Sequence, residues 1–398
     1  MAQEGIGTGL LVVELASVLA GPSVGQFFAE LGATVIKVEN LKTKGDVTRR
    51  WKLPSEAASQ DVSAYFASAN WGKKSIAVDL SLPEGKEIAY ALLDKADVAL
   101  TSFKPGDAEK LRMDFATLSA RNPRLLYGAI TGYGSQVSRA GYDAVLQAEA
   151  GFMYLNGETG GPPVKMPVAL IDLLAAHQLK EGLLAALWNR EKTNKGQYVE
   201  VSLVRAAIAS LANQATNYLV AGEEPHRMGS EHPNIVPYGT VFTTADQKEV
   251  VLAVGDDRQF SNLCKVLGKP EIALDPQFAT NKARVQNRGA LNTLLRNQIA
   301  LQNRNLFLTA LQEQQVPAGA VHTIPEALAM PQAQEQLVQD AASGLRGLRQ
   351  VAFKDLEQEQ LNLLPPPGLG QHTQQILQEW VGLSAAQVQK LTQEGVVL

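Results

Sequence analysis

Asp172 is the side chain in this sequence best placed to do chemistry by itself. It stands in the stretch MPVALIDLLAAHQLKEGLLAALWNR, residues 166–190, between a short apolar approach and a long helical pattern. Ala176, Leu179, Leu183, Ala186 and Leu187 recur on one helical face, while Gln178, Glu181 and Asn189 fall elsewhere. The pattern predicts a helix that starts at Asp172 and puts that residue at the N-cap. Two uses of the carboxylate follow. In the first, a side-chain oxygen accepts a hydrogen bond from a free backbone N–H of the first turn, the commonest role of an aspartate there. In the second, the partial positive charge of the helix start keeps the carboxylate ionised, and the small Ala175 and Ala176 leave room for a ligand, so that Asp172 can act as a nucleophile.

Other constellations that support catalysis are missing. The sequence holds no HExxH, CxxC, GxxxxGK[ST] or GxSxG, and its histidines (His177, His226, His232, His322, His372) are too scattered to indicate a metal site. His177 reads as a satisfied structural histidine. The single cysteine, Cys264, excludes an internal disulfide, cannot build a zinc site alone, and in its apolar helical run reads as a buried structural thiol. With 19% charged residues and a net charge of −4, the chain is a poor partner for nucleic acid or an anionic membrane. No stretch approaches the length of a membrane span, and the first residues lack the pattern of a secretory signal, so a cytoplasmic protein is expected.

The elements that must position Asp172 are those of an α/β chain of 398 residues, 45% hydrophobic. Residues 10–15 form an apolar strand interrupted by Glu14, residues 23–31 a helix, and residues 34–38 a second strand. This β-α-β unit implies a parallel sheet with a right-handed crossover. Strands at 75–80, 98–103, 125–130 and 197–202 continue the rhythm, with helices at 83–95, 108–112 and 144–150 between them. Gly21 and Gly25 after the first strand allow close backbone approach at the carboxyl edge of the sheet, where open α/β sheets bind ligands. The polar excursion 39–71 carries Lys42, Lys44, Arg49, Arg50 and Lys52, read as a solvated face that, with Lys73 and Lys74, suits a polyanionic small molecule. Lys104 and Lys110 flank a strand end and helix start suited to phosphate.

After one Ala-rich helix running to about Val220, Glu223-Glu224-Pro225 reads as a linker. The division expected is a large domain at 1–222, a small α+β domain at 223–325, and a C-terminal segment at 326–398. That segment reads as helical from Ile324, with Gln334, Gln350, Gln358 and Gln360 exposed, then stiff at Pro365-Pro366-Pro367. Ile376, Leu377, Trp380, Val388 and Leu391 need a partner surface, so the tail should return to the large domain.

Several segments taken in order resemble the class III CoA-transferases, the family of formyl-CoA and carnitine CoA-transferases: LASVLAGPSVGQFFAELGATVIKVEN, GDVTRRW, NWGKKSIAVDL, SFKPG, RNPRLLYGAITGYG, GYDAVLQAEAG, the stretch around Asp172, KGQYVEVSL, VPAGAV and LPPPGLGQHT. The resemblance runs from about residue 8 to the C-terminus. It implies a Rossmann-like large domain built from both chain ends, a smaller α+β domain, and an interlocked homodimer. It also implies an enzyme that moves CoA from an acyl-CoA thioester to a carboxylic acid through an acyl-aspartyl anhydride and an aspartyl-CoA thioester on Asp172. No tightly bound cofactor is required, since coenzyme A enters as the substrate thioester.

By the same resemblance CoA lies near Val18, Leu19, Asn40, Lys73, Lys74, Ser102, Phe103, Lys110 and Thr131, with the three lysines on phosphates and Phe103 against the adenine. Asn40 and Lys104 replace arginines frequent in relatives, Ser102 replaces an asparagine, and the loop 134–139 is shorter. Tyr133, Gly229, Ser230 and His232 match the segments that close over the reacting carbonyl. Related acyl-CoA racemases share the fold and need a second acid/base group, typically histidine in Gly-His-Asp. Here the stretch is Gly141-Tyr142-Asp143, which favours transfer over racemisation because a tyrosine is a poor base at neutral pH. A CoA-binding relative without catalysis is the remaining alternative.

Overall fold

The computed structural model describes residues 5–354 and 361–398. They form two compact units. The first comprises Met1–Ala150, Pro167–Ala212 and Glu335–Leu398, and the second Gly151–Met166 and Asn213–Gln334. Compared with the expected division, the second unit begins near 213 rather than 223 and also takes in 151–166. Gln358 and Gln360 lie outside the described residues.

The first unit is built on six parallel strands: β1 (Leu11–Leu15), β2 (Thr34–Asn40), β3 (Lys73–Val78), β4 (Val98–Thr101), β5 (Leu126–Thr131) and β6 (Gln197–Ser202). Their order, β3-β2-β1-β4-β5-β6, reverses direction between β1 and β4. That reversal splays the β1 and β4 loops to opposite faces and opens a crevice at their carboxyl ends. On one face, Val13, Ile36, Ile76 and Ala99 pack with Ile88 and Leu92 of the helix Pro83–Leu93. The tail completes that layer, with Ile376, Leu377, Val388, Val396 and Val397 buried in the same cluster. It also covers the β3 edge, since Val397 bridges Val78 and Asp79 N–H donates to the Val396 carbonyl at 2.9 Å. Pairing this edge removes a row of open backbone groups.

The other face carries the helix Ala20–Glu30, buried along its length. Beneath it lies charge. Lys37 meets Glu14 at 2.8 Å and Asp46 at 3.1 Å, and Lys73 meets Glu14 at 2.7 Å, all four side chains almost fully buried. Gly25 makes room for this network: a Cβ there would fall 1.8 Å from the Glu14 carboxylate. Arg49, expected on a solvated face, is buried as well, pairing with Glu39 at 2.6 Å and stacking 3.7 Å over Phe66.

The second unit packs a three-stranded antiparallel sheet, β7 (Tyr238–Thr243), β8 (Glu249–Ala253) and β9 (Ala318–Ala320), against helices. Its core joins Phe242, Leu252, Phe260, Leu295 and Phe307 to Cys264, which is buried as a free thiol. Two further expectations are corrected. The Ala-rich helix is two helices, Leu203–Ala209 and Ala212–Ala221, broken where Ala212 takes φ +48°. The run after Ile324 is not continuously helical: Leu337–Gln339 and Arg346–Leu348 pair as an antiparallel hairpin, β10 and β11. Gly347 lets this hairpin lie on the Trp71 ring, which a Cβ would approach to 2.2 Å. Gln350 is partly buried, its N–H donating to Glu30 at 2.8 Å.

Candidate active site

At the crevice beside β1 and β4 is a cavity of about 370 Å³. The loop after β1 and the start of the helix that follows contribute residues 17–21, the turn after β4 residues 102–105, the end of β5 residues 130–132, and the stretch leading into the next helix residues 139–143. Trp51 and Asp172 also line it.

Asp172 reaches the cavity from the helix Leu170–Thr193. The helix buries Ile171, Ala175, Leu179, Leu183, Ala186 and Arg190, a stripe at helical spacing, so its rotation is fixed by the core. Asp172 stands in its first turn but is not the N-cap; that position is Ala169, which has no side-chain hydrogen bond. The capping oxygen comes from elsewhere in the chain. Asp143 Oδ1 accepts the Ile171 N–H at 2.8 Å, and its Oδ2 accepts from Gln147 at 2.7 Å. Among the described residues, nothing donates a hydrogen bond to Asp172 and no cation pairs with it.

The charge state differs from the expectation in consequence. Partial burial, and then the neighbouring Asp143 carboxylate, push the Asp172 carboxyl up to about 7. Helix-start stabilisation does not offset them. At neutral pH the group divides between acid and carboxylate, and its carboxylate is more basic than that of an exposed aspartate.

Val18 shapes the facing wall. It is β-branched yet takes φ +74°, a conformation that needs external support. Asp46 supplies it, accepting the Val18 N–H at 3.2 Å. Burial disfavours the Asp46 charge, but Lys37 and the Thr48 N–H and hydroxyl outweigh that and hold its carboxyl below the ordinary range. The buried ion network therefore fixes a loop of the cavity.

Of the residues expected to bind CoA, the structure gathers Val18, Leu19, Ser102, Phe103 and Thr131 around the cavity with Asp172. Ser102 Oγ accepts the Ser17 N–H at 3.0 Å and ties the two strand-end loops together. Thr131 donates to Glu200 at 2.9 Å. Lys73 is corrected. Its ammonium is fully buried and bonded to Glu14, Asn70 and the Pro22 carbonyl, leaving nothing for a phosphate. Lys74 points to the other side of the sheet, 3.9 Å from Glu379.

Asn40 ends β2 away from the cavity and accepts the Lys42 N–H. Lys110 is exposed and pairs with Asp107 at 3.2 Å. Its neighbours Ala108 and Glu109 line a smaller cavity of about 90 Å³ that shares Phe103, Lys104 and Thr131 with the first. Tyr133 donates to Glu149 at 2.5 Å. Gly229, Ser230 and His232 belong to the second unit, where Gly229 takes φ +62° and His232 Nδ1 accepts the Asn234 N–H at 3.1 Å. His177 is exposed rather than packed.

Sequence reading missed Asp143 as the cap of the Asp172 helix, Asp46 as the support of Val18, and Arg139 as part of the wall. A local signal existed only for Asp143, which opens a helix just after Gly141-Tyr142. No group of three or more histidine, cysteine or acidic side chains able to hold a metal occurs among the described residues.

A family model described as CoA-transferase family III matches residues 8–373. The chain belongs to that family. As a family III CoA-transferase it is 39% identical over 384 residues to a succinate–glutarate CoA-transferase of Agrobacterium fabrum, covering 94% of this chain and 95% of the relative. It is 33% identical to the human succinyl-CoA:glutarate CoA-transferase, covering 98% of this chain and 89% of that protein. Among solved structures, a CaiB/BaiF family protein from Brucella suis superposes with a TM-score of 0.84 at 39% identity, over 95% of this chain and all of that one. No helix among the described residues is long and apolar enough to cross a membrane.

Proposed function

We propose that this family III CoA-transferase exchanges CoA between dicarboxylic acids through covalent intermediates on Asp172. The observation that carries the reading is an unpaired, basic carboxylate in the wall of the switch-point cavity, between the β1 and β4 loops. The succinate and glutarate named for the relatives support a dicarboxylate substrate class rather than formyl-CoA.

In this mechanism an Asp172 oxygen attacks the thioester carbonyl, and the CoA thiolate leaves as the mixed anhydride forms. The thiolate then attacks the Asp172 carbonyl carbon, releasing the first acid as its carboxylate and leaving an aspartyl-CoA thioester. An acceptor carboxylate attacks that carbonyl and expels the thiolate again. Attack of the thiolate on the acceptor's acyl carbon yields the new thioester and restores Asp172. Thioester is exchanged for thioester, so the site has only to store the intermediates covalently and exclude water. The raised basicity of Asp172 strengthens it as a nucleophile.

Racemisation is disfavoured by the same geometry. Both Asp143 oxygens are occupied by Ile171 and Gln147, and its neighbour in the cavity wall is Tyr142, a poor base at neutral pH. The homodimer and the cytoplasmic location belong to the proposal as well. Leu184 and Trp188, exposed on the helix that carries Asp172, support a subunit contact. The test is mass spectrometry after incubation with succinyl-CoA, glutaryl-CoA and acetyl-CoA, followed by hydroxylamine. A hydroxamate at Asp172 that is absent from Asp172→Ala is expected. No adduct, together with exchange of the α-hydrogen in deuterated solvent, would replace transfer by isomerisation.

A further inference from the structure

Arg139 has no role in the chemistry above, and we infer that it recognises the second carboxylate of the substrate. This rests on the dicarboxylate transferase reading. A dicarboxylic acid bound to CoA through one end carries a free carboxylate at the other, and that charge enters a cavity whose wall already holds Asp143 and Asp172. It needs a cation. Two line the cavity, Lys104 and Arg139.

They differ in how they are held. Lys104 is exposed on the turn after β4, with no side-chain partner among the described residues. Arg139 is fixed. Its two terminal nitrogens donate to the two Glu149 oxygens at 3.1 and 2.5 Å, and its guanidinium lies 4.6 Å over the Tyr133 ring. The Tyr133 hydroxyl donates to the same Glu149 carboxylate. A guanidinium has five N–H groups, and this fork uses two, leaving three that can donate to another carboxylate.

The loop bearing Arg139 is pinned at its base. Gly132 and Gly141 touch so closely that a Cβ on either would come within 2.6 or 2.3 Å of the other's Cα. Two residues beyond Gly141, Asp143 bonds the Ile171 N–H beside Asp172. The loop that carries Arg139 is therefore tied, through Asp143, to the first turn of the helix that carries the nucleophile.

The experiment compares thioesters that differ only at the far end: succinyl-CoA against butyryl-CoA, and glutaryl-CoA against pentanoyl-CoA. Native protein should prefer the carboxylated member of each pair in kcat/KM. Arg139→Gln should cut that preference roughly 10- to 100-fold, the worth of one charged hydrogen-bonded pair, and Arg139→Lys should restore part of it. An unchanged preference in Arg139→Gln overturns the inference. Calorimetric binding of the same pairs to Asp172→Asn, with and without Arg139→Gln, reads the preference without turnover. That separates a failure of the covalent chemistry from a failure of recognition: a preference erased by Arg139→Gln upholds the assignment even where no transfer occurs, and one that persists sinks it.

Discussion

Asp172→Asn should make the protein more stable, and by an amount that grows with pH. The Asp172 carboxyl is pushed from 3.8 in an unstructured chain up to about 7 by burial and by Asp143. Between those values the folded state holds a proton that the unfolded state has released, so stability falls as pH rises from about 4 to about 7 and then levels off. A tenfold change in proton affinity is worth about 1.4 kcal/mol. Relative to a neutral isostere, the native side chain is therefore less stable by under about 1 kcal/mol at pH 4, and by about 4 kcal/mol at pH 8. Asparagine keeps the shape and removes the charge. Urea denaturation of both proteins at one protein concentration, at pH 4.5, 6 and 8, measures the difference directly. A gain that widens toward pH 8 is expected. A pH-independent increment, or no gain at pH 8, would refute the claim that the site holds its carboxylate against the fold.

The activity profile should carry the same signature. If the Asp172 carboxylate attacks the thioester, kcat/KM falls as pH drops through about 7. Asp143→Asn, which keeps an acceptor for the Ile171 N–H but loses the charge, should move that limb to lower pH; an unmoved limb removes Asp143 as its cause. Lys73→Met strands one oxygen of buried Glu14, and differential scanning calorimetry should show a loss of about 3 kcal/mol. Acyl-CoA KM should change much less, whereas a selective rise in KM with stability intact would return Lys73 to the phosphates. Gly141→Ala drives a methyl group against Gly132 and should cost about 1–3 kcal/mol. It should also weaken the preference for carboxylated thioesters by displacing the Arg139 loop, and an unaffected preference would show that the loop base does not set the guanidinium.

The sheet was readable because its strands are apolar runs bounded by glycine, proline and polar turns, and because β-α-β spacing admits few topologies. The hairpin at Leu337–Leu348 escaped because glutamine and alanine are compatible with a helix, and what holds it is packing of Gly347 on Trp71, far away in sequence. The helical stripe from Ile171 to Arg190 marked the Asp172 helix, but not which residue would cap it. That cap arrives from 28 positions upstream.

By itself the sequence determined the parallel sheet, the helix that carries Asp172, and the family, through motifs shared in order along nearly the whole chain. All of these are matters of local pattern and chain order. What the tertiary structure decided was the use of each charge. Lys73 and Arg49 looked like phosphate ligands or a solvated surface because sequence gives residue type and not depth, and strand pairing places them under a helix where only internal carboxylates reach them. Asp172 looked like a cap, yet burial and a second carboxylate brought across the fold make it basic instead, since a pKa depends on the dielectric and the charges within a few ångströms.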